Sequence, residues 1–94
     1  MTEALRQVGI DLQESEESRA LVEAIVADNP DLTIRHLPGL VKLQGTGPIV
    51  INRQTVEDKL GRDWETGEFQ LALVSYVGNF SEWDDDQIIV KWEH

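Results

Sequence analysis

A chain of 94 residues makes one small domain and leaves no room for two. It carries 18 acids against 8 bases, a net charge of −10, so phosphate backbones and anionic membrane surfaces repel it. The absence of cysteine excludes disulfides and thiolate metal sites; with no apolar run near the roughly 20 residues of a membrane helix and no signal-peptide pattern in MTEALRQVG, the reading points to the cytoplasm.

Residues 1–6 read as a flexible tail ahead of a domain at 7–94. Val8, Ile10 and Leu12 alternate with Gly9, Asp11 and Gln13, the period of a half-buried strand. Ser15 or Ser18 can then cap a helix, with Glu16 and Glu17 at the positive end of its dipole. Leu21, Val22, Ile25 and Val26 form its apolar face, and Asp28-Asn29-Pro30 stops it. Leu32, Ile34 and His36 alternate again, Pro38-Gly39 turns, and Val41 and Leu43 complete a hairpin. Ile49-Val50-Ile51 reads as a short buried strand. Asn52 or Thr55 can cap a second helix, Thr55 with Asp58 approximating a capping box, and Gly61 ends it. Glu68 to Val77 is the longest strand candidate; both its faces are mostly apolar, which predicts a central strand or one covered on both sides. It finishes at Gly78-Asn79, a loop carries Asp84–Asp86, and Ile88 to Trp92 forms a last strand. The predicted class is α+β: a compact single domain, mostly antiparallel sheet with two helices, in the order β-α-β-β-β-α-β-β.

Catalytic chemistry is not visible in this pattern. Two histidines, His36 and His94, do not furnish a zinc site. His36 reads as a partly buried structural residue from its alternation with Leu32 and Ile34. Asp84-Asp85-Asp86 is the best case for calcium, but adjacent side chains on extended backbone point to opposite faces and the EF-hand spacing is missing. Gly45-Thr46-Gly47-Pro48 lacks the ending of a phosphate loop, and no serine sits in a nucleophile elbow. Trp64 and Trp92 read as core or core-edge residues, Trp83 as an exposed interface aromatic. The charge is uneven: from Leu32 to Val56 there is no Asp or Glu, while Arg35, Lys42 and Arg53 fall there. That is either a plain solubilising distribution or one acid-free face that docks on a partner.

ADNPDLTIRHLPGLVKLQG, then IVINRQTVEDKLGRDWETGEFQLALVSYVGN, then DDDQIIVKW, is similar to the effector family of soluble di-iron monooxygenases. These are the coupling or regulatory proteins of phenol hydroxylase, toluene and alkene monooxygenases and, more distantly, soluble methane monooxygenase. The blocks Asp28-Asn29-Pro30, His36-x-Pro38-Gly39, Ile51-Asn52-Arg53, Lys59-Leu60-Gly61-Arg62 and Gly78-Asn79 occur in the family's order. The resemblance implies a non-catalytic, cofactor-free regulatory subunit, monomeric when free. It implies binding to the di-iron hydroxylase component of a bacterial, NADH-dependent system for aromatic or other hydrocarbon oxidation. It assigns the hydroxylase interface to Ser75, Tyr76, Val77, Gly78 and Asn79, with Arg62 and Asn29 as further candidates. The longer N-terminal tail of the methane branch has no counterpart before Arg6, so its role does not carry over. The alternative reading is an acidic protein-binding scaffold or a calcium-binding module.

Overall fold

The computed structural model describes residues 6–92. The expected tail therefore lies outside the described residues, as does His94, except for Arg6, whose guanidinium stands 4.9 Å from the centre of the Trp92 ring.

Strand β1 (Val8–Gln13) buries Val8, Ile10 and Leu12, as its alternation requires. Ser15 caps α1 (Glu16–Asp28), its hydroxyl accepting from the Ser18 amide at 3.0 Å. Leu21, Ala24 and Ile25 face the core. Asn29 does more than stop the helix. Its Nδ2 donates to the carbonyls of Ile25 and Val50, both at 2.7 Å, and its Oδ1 accepts from the Val50 amide at 3.0 Å. One side chain thus satisfies a helix end and staples it to the next sheet.

The hairpin of β2 (Thr33–Leu37) and β3 (Leu40–Gly45) turns at Gly39, where φ is +74°. Strand β4 (Ile49–Asn52) runs straight into α2 (Arg53–Leu60). Asn52, not Thr55, caps α2, accepting from the amides of Gln54 and Thr55. The capping box forms instead at Glu65 and Glu68, around a 3-10 turn at Thr66–Glu68.

That box sets the conformation of the next segment. The predicted strand from Glu68 to Val77 is a helical turn, α3 (Phe69–Ala72), and then a shorter strand, β5 (Leu73–Val77). Phe69, Ala72 and Leu73 have helical spacing and turn inward, while Leu71 is 79% exposed. Nor is β5 central: the first sheet has the order β2-β3-β1-β5, with β5 at an edge. An unforeseen strand, β6 (Asn79–Trp83), comes after Gly78, and β7 (Gln87–Lys91) closes the second sheet, ordered β4-β7-β6. A register shift between Phe80 and Glu82 breaks the alternation that would have revealed β6. All strand pairs are antiparallel, so the α+β class and element order hold with these additions.

The two sheets and helices α1 and α2 share one core, in which Trp64 and Phe69 are the largest fully buried side chains. Trp92 is half-buried at its edge, as expected. Trp83 is not the exposed aromatic predicted; it packs on the core, 5.9 Å from Phe69 and 5.0 Å from Phe80. His36 is exposed rather than partly buried, on β2, the other edge strand of the first sheet.

Asn29→Ala leaves the Val50 amide and carbonyl without their side-chain partner. It should cost about 1–3 kcal/mol, read as a lower midpoint in urea unfolding.

Candidate functional site

The described surface carries its most exposed large apolar side chains on one short stretch. Leu71 is 79% exposed, Val74 56%, Val77 49% and Tyr76 48%. They stand on α3 and β5, and β5 is hydrogen-bonded to β1 alone. A sheet edge with exposed apolar groups is a template for a partner. Val74 and Val77, which could have been core residues, are both surface residues for this reason.

Within the stretch each predicted interface residue has a distinct local role. Ser75 and Val77 lie opposite Asp11 and Gly9, on the outer face of the sheet. Ser75 Oγ donates to Asp11 Oδ2 at 2.6 Å, and Lys42 Nζ donates to the same oxygen at 3.3 Å. Tyr76 lies opposite Ile10, on the inner side, and contacts Phe80 with ring centroids 4.5 Å apart. Phe80 meets Trp83 and Trp83 meets buried Phe69, so four aromatic rings connect the edge strand to the core. Gly78 has φ +124°. A Cβ there would stand 3.2 Å from Val90 Cγ1, so backbone and space both call for glycine. Asn79 opens β6, exposed, opposite Lys91.

The two further candidates do not join this cluster as a group. Arg62 forms exposed ion pairs with Glu17 at 3.2 Å and Glu68 at 3.5 Å. Asn29 is the staple at the far end of α1, roughly 18 Å along the axis from Glu17 at 1.5 Å per residue. Asp11, which ties Ser75 in place, and Lys42, which bonds the same carboxylate, are site residues that the sequence pattern does not reveal. The available signal was that both occupy polar positions in alternating strands. The acid-free stretch is not a single face either: Arg53 lies on α2, paired with Glu57 at 3.2 Å and donating to the Asp85 carbonyl.

The three adjacent aspartates do not converge. Asp84 Oδ1 accepts from the amides of Asp86 and Gln87 at 2.8 and 2.9 Å, closing the turn between β6 and β7. Among the described residues no group of three or more His, Cys, Asp or Glu side chains is placed to hold a metal ion.

Residues 6–91 match the MmoB/DmpM family. The chain belongs to that family. It is 34% identical over 87 residues to the stimulatory component of phenol 2-monooxygenase from Pseudomonas sp. (strain CF600), covering 93% of this chain and 96% of that one. It superposes with a TM-score of 0.87 and 41% identity on a chain of a phenol hydroxylase–regulatory protein complex, over 94% of this chain and all of the other. The regulatory protein B of soluble methane monooxygenase shares the fold, with a TM-score of 0.73 at 19% identity, over 99% of this chain and 69% of that one. In this family member no described helix is long and apolar enough to cross a membrane.

The carboxylate of Glu57 organises the turn behind α2. It accepts from the Trp64 amide at 2.9 Å and from Arg53 Nε at 3.2 Å. The Trp64 amide first, and then Arg53, hold it below its ordinary value of 4.5. The amides of Asp86 and Gln87 likewise hold Asp84 below 3.8. A depressed carboxyl pKa contributes stability that is complete above the unfolded value and is lost as pH falls through the folded one. Stability should therefore fall as pH drops below the ordinary carboxylate range, and Glu57→Gln should flatten that acid limb while lowering the midpoint at pH 7 (urea unfolding at stepped pH). Gly78→Ala should cost about 1–3 kcal/mol, more than alanine at Gly47, where a Cβ meets open space.

Proposed function

We propose that this chain is the regulatory subunit of a bacterial multicomponent monooxygenase: a protein without cofactor or catalysis of its own that docks on the di-iron hydroxylase component. The observation that carries the reading is the likeness, at 41% identity, to a chain of a phenol hydroxylase–regulatory protein complex. That chain is covered in full, so the likeness is to a protein of this size rather than to a large oxygenase. The relatives at 34% and 41% identity come from phenol-oxidising systems, which favours an aromatic substrate for the complex; the choice of substrate belongs to the hydroxylase pocket. The reading places the chain in the cytoplasm, where NADH is supplied, and as a monomer when free.

The docking surface is the edge strand β5 with its exit, Ser75, Tyr76, Val77, Gly78 and Asn79. Its support is physical: an unpaired edge, exposed apolar side chains and a rigid glycine joint. Arg62, paired with Glu17 and Glu68, and Asn29, the staple at the other end of α1, are the further candidates for contact with the hydroxylase. A cofactor-free protein acts on an enzyme only through its different affinity for the enzyme's states. A difference of about 1–3 kcal/mol redistributes those states by up to about two orders of magnitude. Docking of this kind reshapes the di-iron site and ties NADH use to substrate oxidation.

Mixed with the hydroxylase and reductase from the source organism, the protein should raise the rate of product formation and the product formed per NADH, and alone it should turn nothing over. Binding without any change in rate or coupling would instead support a plain acidic scaffold. Ser75→Trp should weaken hydroxylase affinity at least tenfold, about 1.4 kcal/mol, with an unchanged circular dichroism spectrum; a folded variant of unchanged affinity would show that β5 is the wrong surface.

A further inference from the structure

The strand registers bring four polar residues into one row across the first sheet. Arg35 lies opposite Lys42, Lys42 opposite Asp11 and Asp11 opposite Ser75, one residue from each of β2, β3, β1 and β5. Ile10, Leu12, Val41 and Leu43 turn the other way, into the core. The row therefore lies on the outer face, and none of the side chains that face presents is buried.

The row is joined by hydrogen bonds. Lys42 and Ser75 both donate to Asp11 Oδ2, at 3.3 and 2.6 Å. Arg35 is exposed and forms no ion pair among the described residues. The face thus holds two cations against one carboxylate, in a chain whose net charge is −10. Positive charge is scarce on this protein, and two of its eight Lys and Arg side chains stand here.

We propose that this outer sheet face continues the β5 docking surface and receives a carboxylate-bearing face of the hydroxylase, with Arg35 and Lys42 as its anchors. The inference rests on the docking of β5 and adds the sign of the partner's charge. Ser75 and Val77 project from this same face, so a partner seated on β5 reaches the row without a break. Arg35 offers a planar fork suited to a carboxylate. Lys42 keeps two of its three ammonium protons beyond the one given to Asp11. Ser75 has spent its single hydroxyl proton on Asp11, so it presents lone pairs outward and fits a donor on the partner, such as an amide N–H. Asp11 is a positioning residue: it orients both neighbours. The like net charges of two copies, −10 each, oppose the approach of a second copy of this chain.

Arg35→Glu tests this against Arg19→Glu, which makes the same change of charge at an exposed position on α1, on the covered side of the sheet. The full chain is mixed with the di-iron hydroxylase of the source organism, and association is followed at low salt and at about 0.15 M ionic strength. Arg35→Glu should slow association about tenfold at low salt, with the gap closing as salt rises. Arg19→Glu should remain near wild type, and both variants should keep the wild-type circular dichroism spectrum. Equal slowing by both variants, or none by Arg35→Glu, with a wild type that binds, would overturn the sheet-face assignment and leave β5 docking standing. A wild type that does not bind would overturn the docking reading, and this inference with it.

Discussion

The arrangement turns on the backbone at Gly78. With φ at +124°, the chain leaves the four-stranded sheet there and enters the three-stranded one. Because it leaves, β5 has a single neighbour and ends as an edge. Val90 crowds the joint closely enough that a side chain there would require it to shift by a few tenths of an ångström. A conformation that favours glycine thus decides that β5 is left as an edge. An exposed edge invites aggregation, and this one is limited by its length of five residues and by the polar Ser75–Asp11–Lys42 row beside it.

The same joint sets the route from surface to interior. Tyr76 comes before it and Phe80 after it, and their rings meet across the turn at 4.5 Å. Trp83 and Phe69 continue the contact into the core. A partner that covers Tyr76 therefore presses on a packed series of rings rather than on a loose side chain, and packed interiors resist deformation. That rigidity suits a regulatory subunit, since a stiff ligand spends its binding free energy on the enzyme's states rather than on its own ordering.

Much of the fold was legible in the sequence because periodicity and capping chemistry agreed. β1, α1, the Pro38-Gly39 hairpin, β4 and α2 lie close to where their patterns place them. The misreadings have local physical causes. FQLALVSYV alternates well enough for one long strand, but the Glu65–Glu68 box winds the chain first, and Phe69, Ala72 and Leu73 fit a helical turn equally well. β6 was hidden by the irregular pairing between Phe80 and Glu82. The acidic neighbours of Trp83 suggest exposure, whereas the turn that Asp84 closes directs it inward. For the site, the residues at 75–79 came from resemblance, and their edge position reversed the expectation of a covered strand. Ser75 and Lys42 both meet Asp11 through registers that join strands far apart in sequence, and one sequence does not display such pairings.

Hydrogen–deuterium exchange of this protein, with and without its di-iron hydroxylase, tests the central claim most directly. Protection on binding is expected over residues 71–79 and, across the sheet, over 33–44, with the body of α1 unchanged. Protection confined to α1 and α2, with 71–79 exchanging as in the free protein, would contradict it.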